Sequence, residues 1–175
     1  MYSAVRAIEG GLRAVFLAGL MRSLAACGFH LRGQVQLPPQ MARTYISGAA
    51  SDDTLVRALR STLQANGVQV VSDARNATAI LQIESLKTSR SVLSVNADGT
   101  VAAYQLLMQL AYSVRATQGD WHIPTQELQT RRHYSYSDSQ VLAKSSEVNQ
   151  LRDSMSRDLA SLALLRLQAR AHSQP

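Results

Sequence analysis

The chain has 175 residues, with 18 Lys and Arg against 12 Asp and Glu, a formal net charge of +6 and a single cysteine. That length supports one sizeable core, and one thiol excludes an internal disulfide framework. The positive charge is mild and unclustered, short of the concentrated field of a dedicated nucleic-acid binder, so no nucleic-acid partner is expected.

Arg6 and Arg13 precede a short apolar run, Ala14-Val15-Phe16-Leu17-Ala18-Gly19-Leu20-Met21. Arg22 interrupts it, and Leu24-Ala25-Ala26-Cys27 follows. Leu-small-small-Cys at this distance from the start is the cleavage pattern of a bacterial lipoprotein leader. Residues 1–26 are therefore expected to be a signal peptide and Cys27 the lipid attachment point. Removing the leader's three arginines and one glutamate leaves a formal charge of +4. No later segment approaches the roughly 18–20 apolar residues of a membrane-spanning helix, so any membrane hold falls to the anchor.

From Gly28 to Gln40 the glycines and the pair Pro38-Pro39 predict an extended lead-in, residues 27–40. Ala42–Ser47 reads as a short strand. Ser51-Asp52-Asp53 then opens a helix, because a capping side chain and acids suit its positive N-terminal end. Leu55, Val56, Leu59 and Leu63 mark its buried face, and Asn66-Gly67 supplies a left-handed C-terminal cap. A second strand begins at Val68–Val71, pauses over the polar Ser72–Ala77, and resumes through Ile80–Glu84. Asn96-Ala97-Asp98-Gly99 predicts a hairpin turn between runs of β-formers. The return strand alternates, with Tyr104, Leu106, Met108, Leu110, Tyr112 and Val114 on one face. After Gln118-Gly119-Asp120, a long strand runs from Trp121 to about Tyr136, and Pro124 marks part of it as edge or bulge. A final helix is predicted from about Asp138 to Arg170, its apolar stripe formed by Val148, Leu151, Met155, Leu159 and Leu162.

These elements predict an α+β fold, two helices packed on one face of a four-stranded mixed sheet in the order β-α-β-β-β-α. The first strand–helix–strand unit should be parallel and the remainder an antiparallel meander. One domain is expected over residues 41–170, with 171–175 as a flexible tail.

Catalytic patterns are missing. His30, His122, His133 and His172 are dispersed without metal-ligand spacing, so neither metal nor other cofactor is expected. There is no Gly-x-Ser-x-Gly elbow and no glycine-rich phosphate loop. The chain reads as a non-enzyme.

An anionic lipid ligand would need cations. Lys87 and Arg90 lie on the distal part of the first hairpin strand, and Arg131 and Arg132, being adjacent, point to opposite faces of theirs. Lys144 stands near the start of the last helix, where a cation opposes the dipole. Taken singly, each fits an ordinary solvated charge. Arginine and lysine also pair well with phosphate.

Cys27-Gly28-Phe29-His30-Leu31-Arg32-Gly33, with Leu37-Pro38 close behind, resembles the mature N-terminus of the LPS-assembly lipoprotein family LptE. Asn66-Gly67-Val68, Asp98-Gly99 before Ala103-Tyr104-Gln105-Leu106, and Leu142-Ala143-Lys144 fit in the same order. The resemblance spans Cys27 to about Leu167. It implies an outer-membrane lipoprotein that plugs the LptD β-barrel from the periplasmic side, supports its assembly and helps deliver lipopolysaccharide to the outer leaflet. It also implies a covalent N-acyl and S-diacylglycerol lipid on Cys27 and a lipopolysaccharide contact at Lys144. Where the family often has a basic residue at the hairpin tip this chain has Ala97, so Lys87 or Arg90 would have to substitute there; Arg131 and Arg132 are further lipopolysaccharide-binding candidates. Gly28 after the cysteine fits outer-membrane sorting. The alternative is a lipoprotein subunit of another outer-membrane assembly or secretion complex.

Overall fold

In the computed structural model, which describes residues 36–136 and 141–172, the first element is a single 3-10 turn at Pro39–Met41. The lead-in is thus not extended to its end. Pro39 occupies the first position of the turn, where a missing N–H costs nothing, and the Met41 amide donates to the Pro38 carbonyl at 2.9 Å. Met41 is fully buried, so the turn pins the start of the domain to the core. The expectations for the leader, for Cys27 and for a helix start at Asp138 lie outside the described residues, which fall in one unit, Val35–Pro175.

Strand β1 is Arg43–Ser47 and helix α1 is Thr54–Ala65. Asp53, the third residue of the predicted cap, takes the N-cap position and accepts from the Leu55 amide at 2.7 Å. Gly67, at φ +84°, lets the chain leave the helix in the left-handed region. Leu55, Val56, Leu59 and Leu63 all face the core, as their spacing requires. Between β1 and α1, Gly48 sits at φ +91° where a Cβ would lie 2.0 Å from the Ile83 carbonyl oxygen, so only glycine fits.

The sheet has five strands, not four. Gln69–Val71 (β2) and Ala79–Val95 (β3) are separate strands on opposite sides of β1, both parallel to it. The cause is the polar segment between them. Asp73 caps a 3-10 turn at Ala74–Asn76 by accepting from the Arg75 amide at 2.9 Å, and the chain crosses to the other flank of β1. There Thr78 locks onto Arg43: its amide donates to the Arg43 carbonyl at 2.7 Å, and its hydroxyl accepts from the Arg43 amide at 3.0 Å. Strands β4 (Val101–Ala116) and β5 (His122–Ser135) complete the order β2-β1-β3-β4-β5, and β3-β4-β5 is the predicted antiparallel meander.

Pro124 does mark a bulge. Tyr112 pairs with Gln126 but Val114 with Ile123, so β5 holds one extra residue there, on the outer edge strand. The buried Gln126 amide closes the irregularity by donating to the Pro124 carbonyl at 2.8 Å, and Arg170 donates to its carbonyl oxygen at 3.2 Å.

Helix α2, Val141–His172, lies over the same sheet face as α1 and spans about 48 Å at 1.5 Å per residue. Its buried stripe departs from the predicted one in its second half. Met155 and Leu159 are buried, with Val148 and Leu151 partly so, but Leu162 is 43% exposed. Ala160, Ala163, Leu164 and Leu167 hold the interior instead. Small residues at 160 and 163 let the helix backbone approach the sheet, and the Tyr112 hydroxyl donates to the Ala163 carbonyl at 3.1 Å.

Burial pushes the Tyr112 phenol well above its ordinary range, only slightly offset by Arg166. Below about pH 10 the phenol is protonated in both folded and unfolded chains; above it only the unfolded chain ionises, so stability falls as pH rises. Tyr112→Phe should lower stability by about 1 kcal/mol at neutral pH and flatten the alkaline fall, both read by urea unfolding across pH. An unchanged neutral stability and an unchanged alkaline slope would refute this role.

Candidate functional site

The two faces of the β3–β4–β5 meander differ in chemistry. Leu106, Met108, Leu110, Tyr112 and Val114 of β4 are buried under the helices. The opposite face carries Gln105, Leu107, Gln109, Ala111 and Ser113, and among the described residues no helix covers it. Strand pairing extends this second face sideways: Gln109 sits between Lys87 and Gln129, Ala111 between Ser85 and Glu127, and Leu107 between Ser89 and Arg131. The result is a shallow polar groove of about 500 Å³ lined by Ser85, Lys87, Gln109, Ala111, Glu127 and Gln129.

The candidate cations divide between the two faces. Lys87 and Arg131 lie on the open face, one row apart. Arg90 and Arg132 flank Leu106 on the helix-covered face, so the neighbours Arg131 and Arg132 do point opposite ways. Arg132 is engaged there, in an ion pair with Asp158 of α2. Both partners are 40% exposed or more, so the pair contributes at most about 1 kcal/mol. The backbone of Lys144 belongs to the first turn of α2. Lys87, Arg90, Arg131 and Arg132 do not converge on one pocket.

The hairpin turn carries no cation. The Asn96 amide donates to the Thr100 carbonyl at 2.8 Å and the Gly99 amide to the Asn96 carbonyl at 3.0 Å. Asp98 accepts from the Thr100 hydroxyl at 2.7 Å and its amide at 3.0 Å, which holds the carboxyl below its usual range. The tip is therefore negatively charged where a basic residue would otherwise stand.

Three tyrosines form a cluster that sequence reading passed over. The Tyr104 ring stacks on Tyr134 at 5.6 Å and meets Tyr136 edge-on at 5.3 Å. The Arg90 guanidinium lies 4.6 Å from the centre of the Tyr104 ring, and hydrogen bonding to Tyr134 raises its pKa further. The alternation Tyr134-x-Tyr136 opposite Tyr104 was the available signal. Among the described residues there is no group of three metal-ligating side chains, and no helix is long and apolar enough to cross a membrane.

A five-stranded mixed sheet with two helices on one face is an α+β fold shared with solved lipoprotein structures. Lipoprotein B from Nitrosomonas europaea is 28% identical with a TM-score of 0.65, over 83% of this chain and 93% of that one. The LptE lipopolysaccharide-assembly family matches residues 33–167, and the chain belongs to that family, which is non-enzymatic. The LPS-assembly lipoprotein LptE of Photorhabdus laumondii is 28% identical over 151 residues, 85% of this chain and 80% of that protein. Its counterpart in Pectobacterium atrosepticum is 35% identical over 91 residues, a match spanning half of that relative's length.

Proposed function

We propose that this chain is an outer-membrane lipoprotein, anchored on the periplasmic side, that supports assembly of the LptD β-barrel as a plug and helps deliver lipopolysaccharide to the outer leaflet. The observation that carries this reading is the family match over residues 33–167, nearly all of the chain beyond the proposed leader. The open face of the meander supports it physically. A domain seated inside a barrel needs a broad polar surface able to meet lumen side chains, and this face offers amides, hydroxyls and isolated charges without a continuous apolar patch. The proposed organisation is a leader over 1–26, a lipidated lead-in, and the sheet-and-helix domain.

The proposed anchor is Cys27, carrying an S-diacylglycerol and, after cleavage, an N-acyl chain. Stable membrane attachment requires two or more chains, because one binds only marginally. Cys27→Ser should move the protein from the membrane to the soluble fraction, and the intact mass of the membrane-extracted wild type should match a triacylated chain starting at Cys27. An unmodified N-terminus at Met1 would contradict the anchor.

Lys144 is the proposed principal phosphate contact for lipopolysaccharide, with Lys87, Arg90, Arg131 and Arg132 as secondary candidates. Arg132 is the least available of these, since Asp158 already holds it. A charge-assisted contact that is partly desolvated contributes about 1.5–3 kcal/mol. Lys144→Asp should therefore weaken binding of purified lipopolysaccharide roughly tenfold or more without lowering the unfolding midpoint, since an acid suits the first turn of a helix. Equal affinity in wild type and Lys144→Asp would remove Lys144 from the site.

A further inference from the structure

Helices α1 and α2 pack against each other over the sheet, and the seam between them is not filled. It forms a groove of about 390 Å³, with Arg57, Ala58 and Ser61 of α1 on one wall and Asp153, Arg157 and Ser161 of α2 on the other. Steps of three and four residues place each set along one stripe of its helix. Leu55, Leu59 and Leu63 of α1 and Met155 and Leu159 of α2 turn inward, so the polar stripes line the outer seam. Ala58, Ser61 and Ser161 are too small to close it.

Both guanidinium groups in the groove remain uncompensated. Arg57 donates to the Asp52 carbonyl and to the Thr54 hydroxyl, the latter at 3.2 Å, which fixes its direction without neutralising its charge. Asp153 stands four residues before Arg157, the helical spacing and order at which an acid pairs best with a base. Yet among the described residues the ion pairs are Asp73–Arg75 and Asp158–Arg132, and no hydrogen bond engages the Arg157 guanidinium. An arginine that forgoes the acid on its own helix keeps all five donors available.

Two arginines against one aspartate leave the groove with a single net positive charge. One carboxylate matches it, whereas a phosphate dianion would meet Asp153 with twice the repulsion. The Ser61 and Ser161 hydroxyls can donate to or accept from a peptide backbone. The groove stays open along the helix pair instead of closing into a pit, which suits an extended chain. The lead-in of this chain cannot be that segment, because residues 27–36 hold Arg32 and no Asp or Glu. We propose that the α1–α2 seam docks a polypeptide segment of a partner protein through one Asp or Glu side chain held between Arg57 and Arg157. None of the candidate lipopolysaccharide cations lines this groove, and the helices lie on the side of the sheet away from its open polar face. The proposal thus goes beyond the plug and lipopolysaccharide readings and does not rest on them.

The test uses the full-length protein in isolated outer membranes, carrying Arg157→Lys, which keeps the cation and supplies an amine. A zero-length carbodiimide joins that amine to a carboxylate in contact with it, and mass spectrometry of the linked peptides identifies the acid. The expected product is a link to an Asp or Glu of another protein, well above that of a Gln64→Lys control at an exposed position of α1 outside the groove. Arg157→Glu should then weaken association with that protein about tenfold, and replacing the linked acid with arginine should restore it. The Arg157 side chain is exposed and unbonded, so circular dichroism of the variant should match wild type. A link only within the chain, to Asp153 or another acid, overturns the proposal. So does a link no stronger than the control's, or an association that Arg157→Glu leaves intact. If Arg157→Glu instead weakens binding of purified lipopolysaccharide and no protein link forms, the seam takes a phosphate and the proposal is wrong, with the barrel reading untouched.

Discussion

The apolar row Leu106, Met108, Leu110, Tyr112 and Val114 along β4 is the constraint on which the remaining structure depends. It lies between β3 and β5, and the helices cover it, so one strand's alternation holds both layers together. Each such side chain contributes about 1.5–3 kcal/mol on leaving water. The same alternation obliges Gln105, Gln109 and Ser113 to face the other way. The polar open face is thus the geometric consequence of the core, since a strand that buries every second residue must present the rest. The one polar group in the buried row, the Tyr112 hydroxyl, is satisfied by the Ala163 carbonyl, which ties sheet to helix at a defined height.

Beyond the helices the constraint lapses. The distal half of β3 has its outer edge unpaired, because β1 accompanies β3 only from Ala79 to Gln82. Among the described residues no second layer covers Val92, Leu93 and Val95, and none of the three belongs to the core. Charges distribute by the same logic. Arg132, close to α2, is neutralised by Asp158, whereas Lys87 and Arg131 project from the open face.

Where local chemistry decides an element, it was legible in the sequence. The Asp53 cap, the Asn66-Gly67 exit of α1, the Asn96–Gly99 turn, the alternation of β4 and the Pro124 bulge each follow from side chains acting within a few residues. The separate β2 was not, because three residues are too few to show a period and its position is decided by a cap at Asp73 and a clasp between Thr78 and Arg43. Leu162 was misassigned for a related reason. From Leu159 both three- and four-residue steps are helical, and only the sheet chooses between Leu162 and Ala163, here favouring the smaller residue that lets the backbone reach Tyr112. In the candidate site, the individual cations and the opposite facing of Arg131 and Arg132 could be read from sequence, but which face each cation takes depended on the bulge at Ile83/Ser85 and on register. The tyrosine cluster joins residues about thirty apart in sequence, and only strand pairing brings them together.

The central claim is that this domain works from within a barrel, presenting its polar sheet face to the lumen. The most direct measurement is affinity purification of the full-length protein from detergent-solubilised outer membranes, with mass spectrometry and stoichiometry of what accompanies it. The account predicts one large β-barrel, LptD, at a one-to-one ratio. Recovery of a different assembly or secretion complex, or of the protein alone, would contradict it.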